Sequence, residues 1–267
     1  MARNKQAKTQ KHSRRNSFDT EQFDVPMRKP NRIHTEEAEK DRFNQLAMKE
    51  YELSNTPEKV IPPLSALTQA QGEYIAAQRT ADIVYGIGSA GTGKTYVALA
   101  LACEELLNKQ IENIIVVRPL VETGRALGAM PGTLEEKISP YFLPVIATLE
   151  ERLGKSKFHY YLKRGQIKFL PLELLRGSTF NDARIILDEG QNTTSEQMLM
   201  LLTRLGKNAK LSVNGDDSQQ DVRGTSGLVD AVRRLEHLEG IRVVRFTEDD
   251  IVRSPIIKSI ILAYRHK

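Results

Sequence analysis

The stretch that decides the fold is Gly88-Ser89-Ala90-Gly91-Thr92-Gly93-Lys94-Thr95. It matches the pattern G-x-x-x-x-G-K-[ST], follows the apolar run Ile83-Val84-Tyr85 and opens a helical pattern. In this context glycines let backbone N–H groups turn around phosphate oxygens, and a helix N-terminus favours anions. The context disfavours the alternative, a glycine-rich turn before a helix. We therefore expect all eight residues to bind the phosphates of ATP, with Lys94 reaching the β and γ phosphates and Thr95 giving a hydroxyl to Mg²⁺.

Apolar, strand-like runs alternate with helical patterns from about residue 64 onward. This alternation predicts an α/β fold with a mostly parallel sheet flanked by helices. Such sheets bind ligands beyond the carboxyl ends of their strands, which is where the motifs fall. The predicted strands are 82–88, 113–118, 166–170, 184–188, 210–214 and 241–246, and the predicted helices are 94–107, 134–153, 195–205, 226–238 and 255–264.

The predicted strand 184–188 ends in an acid, Asp188, and a second acid, Glu189, follows it directly. A buried strand needs no acid at its end, although a solvated strand end is the alternative explanation. Together with the phosphate-binding stretch, the pair predicts that Asp188 holds Mg²⁺ and that Glu189 positions or deprotonates a water. The predicted reaction is therefore ATP hydrolysis, by in-line attack of that water on the γ-phosphate.

Side-chain amides accompany the two acids. Gln191 lies just after them, Asn214 ends the next predicted strand, and Gln219 follows that strand together with a further acid, Asp216. Amides at such places can sense the γ-phosphate, although clusters of this composition are also ordinary turns. Together they favour a motor protein over a small-molecule kinase. Upstream, Gln71 is a candidate for recognising the adenine edge, with a helix-surface glutamine as the alternative.

Length and composition exclude several classes of protein. With 267 residues and 30.1 kDa the chain has room for one large α/β domain. Its composition, 40% hydrophobic and 27% charged residues, is typical of soluble globular proteins. A single cysteine cannot form an internal disulfide. No apolar run has the length of a bilayer, and no secretory signal pattern opens the chain, so we expect a cytoplasmic protein with no membrane partner.

The positive charge is concentrated at the N-terminus. Residues 1–15 hold six basic side chains and no acidic one, whereas the whole chain has a net charge of +5, so the remainder is close to neutral. Polar residues continue to about residue 53, and three prolines within residues 54–63 mark a linker. We predict a basic, largely disordered arm and linker over residues 1–63 and a folded domain over 64–267. The arm can add attraction to nucleic-acid phosphates, or be no more than a solvated terminus.

Further stretches match one known family: Val117-Arg118-Pro119-Leu120-Val121-Glu122-Thr123-Gly124, Leu127-Gly128, Pro131-Gly132, Arg176-Gly177-Ser178-Thr179, Asp188-Glu189-Gly190-Gln191-Asn192-Thr193-Thr194, Thr203-Arg204-Leu205-Gly206, Gly215-Asp216 and Asp250-Ile251-Val252-Arg253. With the phosphate-binding stretch they resemble the PhoH family and, more loosely, superfamily 1 helicases. The resemblance implies a single RecA-like P-loop NTPase domain in a cytoplasmic family associated with RNA processing and phosphate starvation. Gly190 stands where the family usually has alanine.

The resemblance to helicases also implies a second lobe. Helicase motors close ATP between two RecA-like lobes, and an arginine of the second lobe stabilises the transition state. Residues 64–267 have room for one lobe, so we expect a homo-oligomer, by family resemblance a hexameric ring, in which a neighbouring copy supplies the arginine. The candidates are Arg253 and Arg204, with Arg223 third, and an ordinary surface arginine is the alternative for each.

The segment that follows the second predicted strand is the expected contact for RNA or single-stranded DNA. Superfamily 1 motors are similar in touching the nucleic-acid backbone there, and Arg118, Thr123 and Arg125 would supply donors to phosphates. Tyr141 and Phe142 are the nearby aromatic residues for base stacking, with core packing as their alternative.

Two hypotheses from different classes follow. The first is an oligomeric, Mg²⁺-dependent ATPase whose hydrolysis drives a helicase or RNA-remodelling activity. The second is a nucleotide-regulated module that binds RNA or protein and hydrolyses ATP slowly. A P-loop kinase acting on a small molecule is disfavoured by the amide pattern. Stimulation of ATP turnover by nucleic acid distinguishes the first two.

Overall fold

The computed structural model describes residues 61–120, 134–219 and 224–265, all of them within the compact unit Thr56–Lys267. The predicted arm, residues 1–63, lies outside the described residues apart from 61–63. In chain order the elements are α1 (Gln69–Thr80), β1 (Ile83–Gly88), α2 (Lys94–Leu107), β2 (Asn113–Arg118), α3 (Leu134–Leu153), α4 (Lys155–Lys163), β3 (Ile167–Pro171), β4 (Ala183–Leu187), α5 (Ser195–Leu202), β5 (Ala209–Gly215), α6 (Gly227–Leu235), β6 (Ile241–Phe246) and α7 (Pro255–Arg265), with 3₁₀ turns at Leu172–Leu174, Gly190–Asn192 and Glu248–Asp250.

The six strands form one parallel sheet in the order β3-β2-β4-β5-β1-β6. The predicted α/β class and parallel sheet are confirmed, and each predicted strand is present to within one residue at either end. In this order β5 lies between β1 and β4. The carboxyl ends of these three strands therefore lie side by side, and so do the motifs that follow them.

The strands of the sheet centre are buried on both faces. In β2, Ile115 and Val117 pack into the cluster that contains Met198 of α5, whereas Ile114 and Val116 pack into the cluster that contains Leu99 of α2. A strand covered by helices on both faces forms a continuous apolar run instead of an alternating one. For this reason the run 113–118 predicts the strand correctly.

Helices are less completely predicted than strands. The sequence patterns do not predict α1 or α4. In α1 the buried side carries Gln71, Tyr74 and Gln78, so this helix lacks an apolar stripe. Helix α5 ends at Leu202 and not at residue 205, since the chain there turns into a bridge between Phe180 and Leu205. Among the described helices none is long and apolar enough to cross a bilayer.

Candidate nucleotide-binding site

The loop between β1 and α2 needs glycine at two close approaches. Gly88 and Gly93 have φ angles of 140° and 84°. A Cβ on Gly88 would lie 2.1 Å from the carbonyl oxygen of Phe246, and a Cβ on Gly93 would lie 2.8 Å from Gln71 Nε2. The loop is thus pressed between β6 and α1. Helix α2 begins directly after it at Lys94, so the N–H groups of its first turn, which have no partner within the helix, face the loop.

Lys94 is the buried cation of the loop. Its Nζ donates to the carbonyl oxygens of Gly88 and Ser89, each over 2.7 Å, and to Thr92 Oγ1 over 3.2 Å. The Thr92 hydroxyl in turn donates to the Ser89 carbonyl over 3.0 Å. The ammonium group therefore lies inside the curve of the loop, where its charge attracts a bound phosphate.

Thr95 and Asp188, the two predicted Mg²⁺ ligands, are in direct contact. The Thr95 hydroxyl donates to Asp188 Oδ1 over 2.7 Å, and the backbone N–H of Asp188 donates to the Val117 carbonyl over 2.9 Å. The first contact joins α2 to β4, and the second continues the pairing of β4 with β2 beyond the strand end. Asp188 is buried, so its carboxylate is fixed before any ligand binds.

Glu189 is held in an uncommon backbone conformation beside a buried amide. Its φ of 59° lies in the left-handed region, which non-glycine residues seldom adopt and which occurs often at functional sites. Gln191 Nε2 donates to Glu189 Oε2 over 2.7 Å, and Gln191 Oε1 accepts from the N–H of Asp216 over 3.1 Å. The predicted amide thus links the acid that follows β4 to the acid that follows β5.

Asp216 reaches the phosphate-binding loop itself. Its Oδ2 accepts from the backbone N–H of Ala90 over 3.1 Å, and its Oδ1 accepts from the N–H and hydroxyl of Ser218. A carboxylate oxygen therefore occupies one N–H group that a phosphate oxygen would need. Gln219 is exposed, borders the same cleft, and its N–H donates to the Asp216 carbonyl over 3.0 Å.

Arg118, the predicted contact for nucleic acid, lies against the two acids of the site, and its contact with nucleic acid stays a prediction. Its Nη2 donates to Asp188 Oδ2 over 2.8 Å and to Glu189 Oε1 over 3.3 Å, and its Nη1 donates to the Tyr141 carbonyl. The guanidinium is thus committed to the two acids of the site. This contact was not predicted because Arg118 and Asp188 are 70 positions apart, and no local pattern connects them. Phe142 is a core side chain, which is the alternative weighed against base stacking.

The two arginine candidates that the structure describes lie at opposite ends of the strands. Arg253 borders the phosphate-binding loop of its own chain, where a Cβ on Gly91 would lie 3.0 Å from Arg253 Cγ. Arg204 lies near the amino ends of the strands and donates to the carbonyls of Met200 and Ser178. The role of Arg253 as a finger supplied to a neighbouring copy stays a prediction, and so does the finger role of Arg204.

Gln71 and Tyr74 of α1 contact the loop and the end of β5. Gln71 Nε2 donates to the Thr92 carbonyl over 2.9 Å, and Gln71 Oε1 accepts from the N–H of Leu67 over 2.8 Å. The Tyr74 hydroxyl, which no sequence pattern predicts, donates to Asn214 Oδ1. Burial raises the pKa of Tyr74 well above its usual value, so this hydroxyl remains a donor. Gln71 is buried, and the alternative of a glutamine on the helix surface is thereby excluded.

One cleft of about 310 Å³ is lined by the phosphate-binding loop and by Arg118, Asp188, Glu189, Asp216, Gln219 and Arg253. Among the described residues no group of three or more His, Cys, Asp or Glu side chains could hold a metal ion alone. Thr95 and Asp188 nevertheless supply a hydroxyl and a carboxylate oxygen. Such a pair fits Mg²⁺, which takes its remaining ligands from substrate phosphates and water. The predicted residues Thr123, Arg125 and Arg223 lie outside the described residues.

The fold and the loop define the class of protein. A parallel sheet, a glycine-rich loop between β1 and α2, and acids after a strand one removed from β1 define a P-loop NTPase domain. The chain belongs to the PhoH family, whose model, described as PhoH-like protein, matches residues 63–265.

Two curated relatives are similar over most of the chain. The chain is 46% identical over 199 residues to the PhoH-like protein of Bacillus subtilis (strain 168), covering 74% of this chain and 62% of that protein. It is 43% identical over 206 residues to protein PhoH of Escherichia coli (strain K12), covering 76% and 58%. The chain thus spans about three fifths of the length of these curated relatives.

Two solved structures are similar at low identity. The large terminase of a thermophilic bacteriophage is 15% identical, with a TM-score of 0.44 over 74% of this chain and 50% of that one. The Pif1 helicase of Candida albicans is 16% identical, with a TM-score of 0.35 over 69% and 41%.

Proposed function

We propose that this chain binds ATP with Mg²⁺ and hydrolyses it. The observation that carries the proposal is that one cleft brings together Lys94 inside the glycine loop, the hydrogen-bonded pair Thr95 and Asp188, and the partly exposed Glu189. These residues come from the ends of two strands that β5 separates. A structural need of the fold does not account for their convergence, because buried strands do not require polar ends.

Each residue has a task in this proposal. The loop N–H groups and Lys94 bind the phosphates, while Thr95 and Asp188 hold the metal ion. Bound Mg²⁺ neutralises charge that develops on the phosphate oxygens. Glu189 orients a water in line with the γ-phosphate and accepts its proton. Gln191 and Gln219 lie where a change in the γ-phosphate can be passed to the residues after β5.

Gln71 supports recognition of adenine. Its Oε1 faces an N–H group and its Nε2 faces a carbonyl oxygen. A flipped amide would place donor against donor and acceptor against acceptor, so the orientation of the amide is fixed. In the fixed orientation Oε1 keeps one lone pair for the adenine amino group, and Nε2 keeps one hydrogen for the adjacent ring nitrogen. A second cleft of about 310 Å³ adjoins Gln71 and is lined by apolar side chains, including Leu64, Leu67 and Val252.

We further propose that the protein is a homo-oligomeric motor, a ring of six copies, that acts on RNA as a helicase or remodelling enzyme. One sheet forms one lobe, and a two-lobed ATPase needs a second copy to close its site. In a ring, Arg204 would reach the site of a neighbouring copy, because it lies near the amino ends of the strands, on the side of the sheet opposite the loop. The basic residues 1–15 add attraction for a phosphate backbone.

One observation favours the second candidate function, a nucleotide-regulated module that binds RNA or protein and hydrolyses slowly. Both oxygens of Glu189 already accept hydrogen bonds, one from Arg118 and one from Gln191. A carboxylate held in this way is a weaker base, because each hydrogen bond to its charged form stabilises that form.

Steady-state ATP hydrolysis tests these proposals. It should be measured with and without single-stranded RNA or DNA, over protein concentrations that span assembly, with Glu189→Gln as the inactive control. The motor is supported if turnover rises with RNA and falls on dilution. If ATP binds but turnover equals that of Glu189→Gln in every condition, the slow module is the better description. If no ATP binds, both are wrong.

A further inference from the structure

Arg118, the last residue of β2, is an internal cation between the two acids of the site. The Nη2 atom contacts Asp188 and Glu189, and Nη1 donates to the carbonyl of Tyr141 on α3. The side chain is only 17% exposed, so much of its hydration has been exchanged for these contacts. Its charge lies beside the carboxylates that the proposed function assigns to the metal ion and to the attacking water.

Both carboxylate oxygens of Asp188 accept hydrogen bonds. Its Oδ1 accepts from Thr95 over 2.7 Å, and its Oδ2 accepts from Arg118 over 2.8 Å. The Thr95 hydroxyl can keep its hydrogen bond to Asp188 while its lone pair binds a cation. Oδ2 is therefore the atom for which a metal ion, or a water bound to it, competes with Arg118. The guanidinium also opposes an incoming divalent cation by charge.

The opposite half of the site shows the complementary arrangement. Asp216 Oδ2 accepts from the N–H of Ala90 in the phosphate-binding loop over 3.1 Å. The Asp216 carboxylate is thus hydrogen-bonded to an N–H group that a phosphate oxygen would use. The Arg118 guanidinium is hydrogen-bonded to a carboxylate oxygen that a metal ion would use. The site compensates its own charges in the places that a metal–nucleotide complex would fill.

We propose that Arg118 is a positioning residue that competes with Mg²⁺ for Asp188 and restrains Glu189 until the metal–nucleotide complex displaces it. This inference rests on the proposed function and deepens it, because it assigns the control of metal binding to a residue outside the phosphate-binding loop. It follows that loss of the guanidinium lowers the Mg²⁺ concentration that nucleotide binding requires. Release of Glu189 also raises turnover in the absence of nucleic acid.

Two substitutions separate charge from packing. Arg118→Gln removes the charge, whereas Arg118→Lys keeps a cation and loses the planar fork that spans both acids. Arg164→Gln is the matched control, because Arg164 is an exposed arginine of the loop after α4 that donates to the Tyr160 hydroxyl, away from the site. Thermal unfolding of all variants establishes that each is folded.

The readout is the binding of a fluorescent ATP analogue to the full chain, titrated with Mg²⁺ and ending with EDTA. We expect Arg118→Gln to lower the half-saturating Mg²⁺ concentration about tenfold, the size typical of one charge-assisted contact. Arg118→Lys should stay near the wild type, and Arg164→Gln should equal it. In hydrolysis at saturating Mg²⁺, Arg118→Gln should raise kcat with little change in the KM for ATP, whereas loss of a merely structural arginine would lower kcat.

Three results would overturn the inference. An unchanged or higher Mg²⁺ requirement in Arg118→Gln removes the competition at Asp188. Equal behaviour of the glutamine and lysine variants assigns the effect to packing and not to charge. Failure of the wild type to bind the analogue with Mg²⁺ overturns the proposed function and this inference with it, and that outcome is distinct because it appears before any variant is compared.

Discussion

The hydroxyl of Thr95 donates to Asp188 Oδ1 over 2.7 Å, although the two residues are 93 positions apart in the chain. The parallel sheet brings them together because β5 alone separates β1, which leads into the loop, from β4, which ends at the acid. A hydroxyl already oriented by a carboxylate loses less freedom when a metal ion binds. Preorganisation of this pair is therefore a product of strand order.

Replacement of Thr95 by alanine tests the pair. We expect the affinity for ATP in the presence of Mg²⁺ to fall by about one to two orders of magnitude, since a hydrogen bond to a charged group contributes about 1.5–3 kcal/mol. Affinity without Mg²⁺ should change little. Thr95→Ser keeps the hydroxyl and is the control. Calorimetric titration with and without EDTA measures both quantities, and an equal loss in the two conditions would mean that Thr95 acts through the packing of the loop.

Gly88→Ala should destabilise the fold through contact with backbone. The new Cβ would lie 2.1 Å from the Phe246 carbonyl oxygen, an atom that cannot move without shifting β6. Gly177→Ala is the control, because Gly177 also has a positive φ, 80°, but nothing lies within 4 Å of its Cβ. We expect the control to lose about 1–2 kcal/mol from the φ angle alone and Gly88→Ala to lose clearly more, both measured by urea unfolding. Equal losses would contradict the steric argument.

The sequence predicts those parts of the site that local patterns encode. The phosphate-binding loop and the acids each follow an apolar run. These runs are continuous because the strands are buried on both faces, and the strands can therefore be predicted from them. The spacing of the residues in the loop also predicts where α2 begins. The pairing of Arg118 with Asp188 depends instead on β2 lying beside β4. Helix α1 was missed for a related reason, since its buried glutamines interact with polar groups of the loop and β5 and not with a core.

The lone thiol should be unreactive in the native protein. Cys103 lies on α2, almost fully buried, and burial raises the pKa of its thiol to about 12. The reactive thiolate is then scarce at pH 8, where an unfolded cysteine with its ordinary pKa is partly ionised. We expect alkylation by iodoacetamide at pH 8, followed by mass spectrometry, to be far slower in buffer than in urea. A native rate near the unfolded rate would show that α2 opens readily.

The same shift makes stability depend on pH in alkaline solution. Because the folded protein holds the thiol proton more tightly than the unfolded chain, the unfolded state is favoured as pH rises above the ordinary thiol pKa. Stability should therefore fall from about pH 8.5 upward, and less so in Cys103→Ala. Urea unfolding midpoints of the two proteins between pH 7 and 10 measure this difference. A parallel pH dependence would assign the loss to other groups.

Arg184 and Glu105 form a buried ion pair that holds β4 to α2. Arg184 is 1% exposed, its Nε donates to Glu105 Oε2 over 2.9 Å, and its Nη2 donates to Glu105 Oε1 and to the Gln78 carbonyl. Removal of the acid in Glu105→Gln leaves the guanidinium charged and unpaired in the interior. Breaking one partner of a buried pair costs about 3–5 kcal/mol, and we expect a loss of that order in urea unfolding.

The double substitution Arg184→Met with Glu105→Leu separates the value of the pair from the cost of an orphaned charge. If the loss in Glu105→Gln comes from the unpaired guanidinium, the apolar double variant should recover most of the stability, because neither charge then remains buried. Glu239→Gln, an exposed acid in no described ion pair, should be neutral and controls for net charge. A double variant as unstable as Glu105→Gln would show that the pair itself, through its hydrogen bonds across α1, α2 and β4, holds these elements in register.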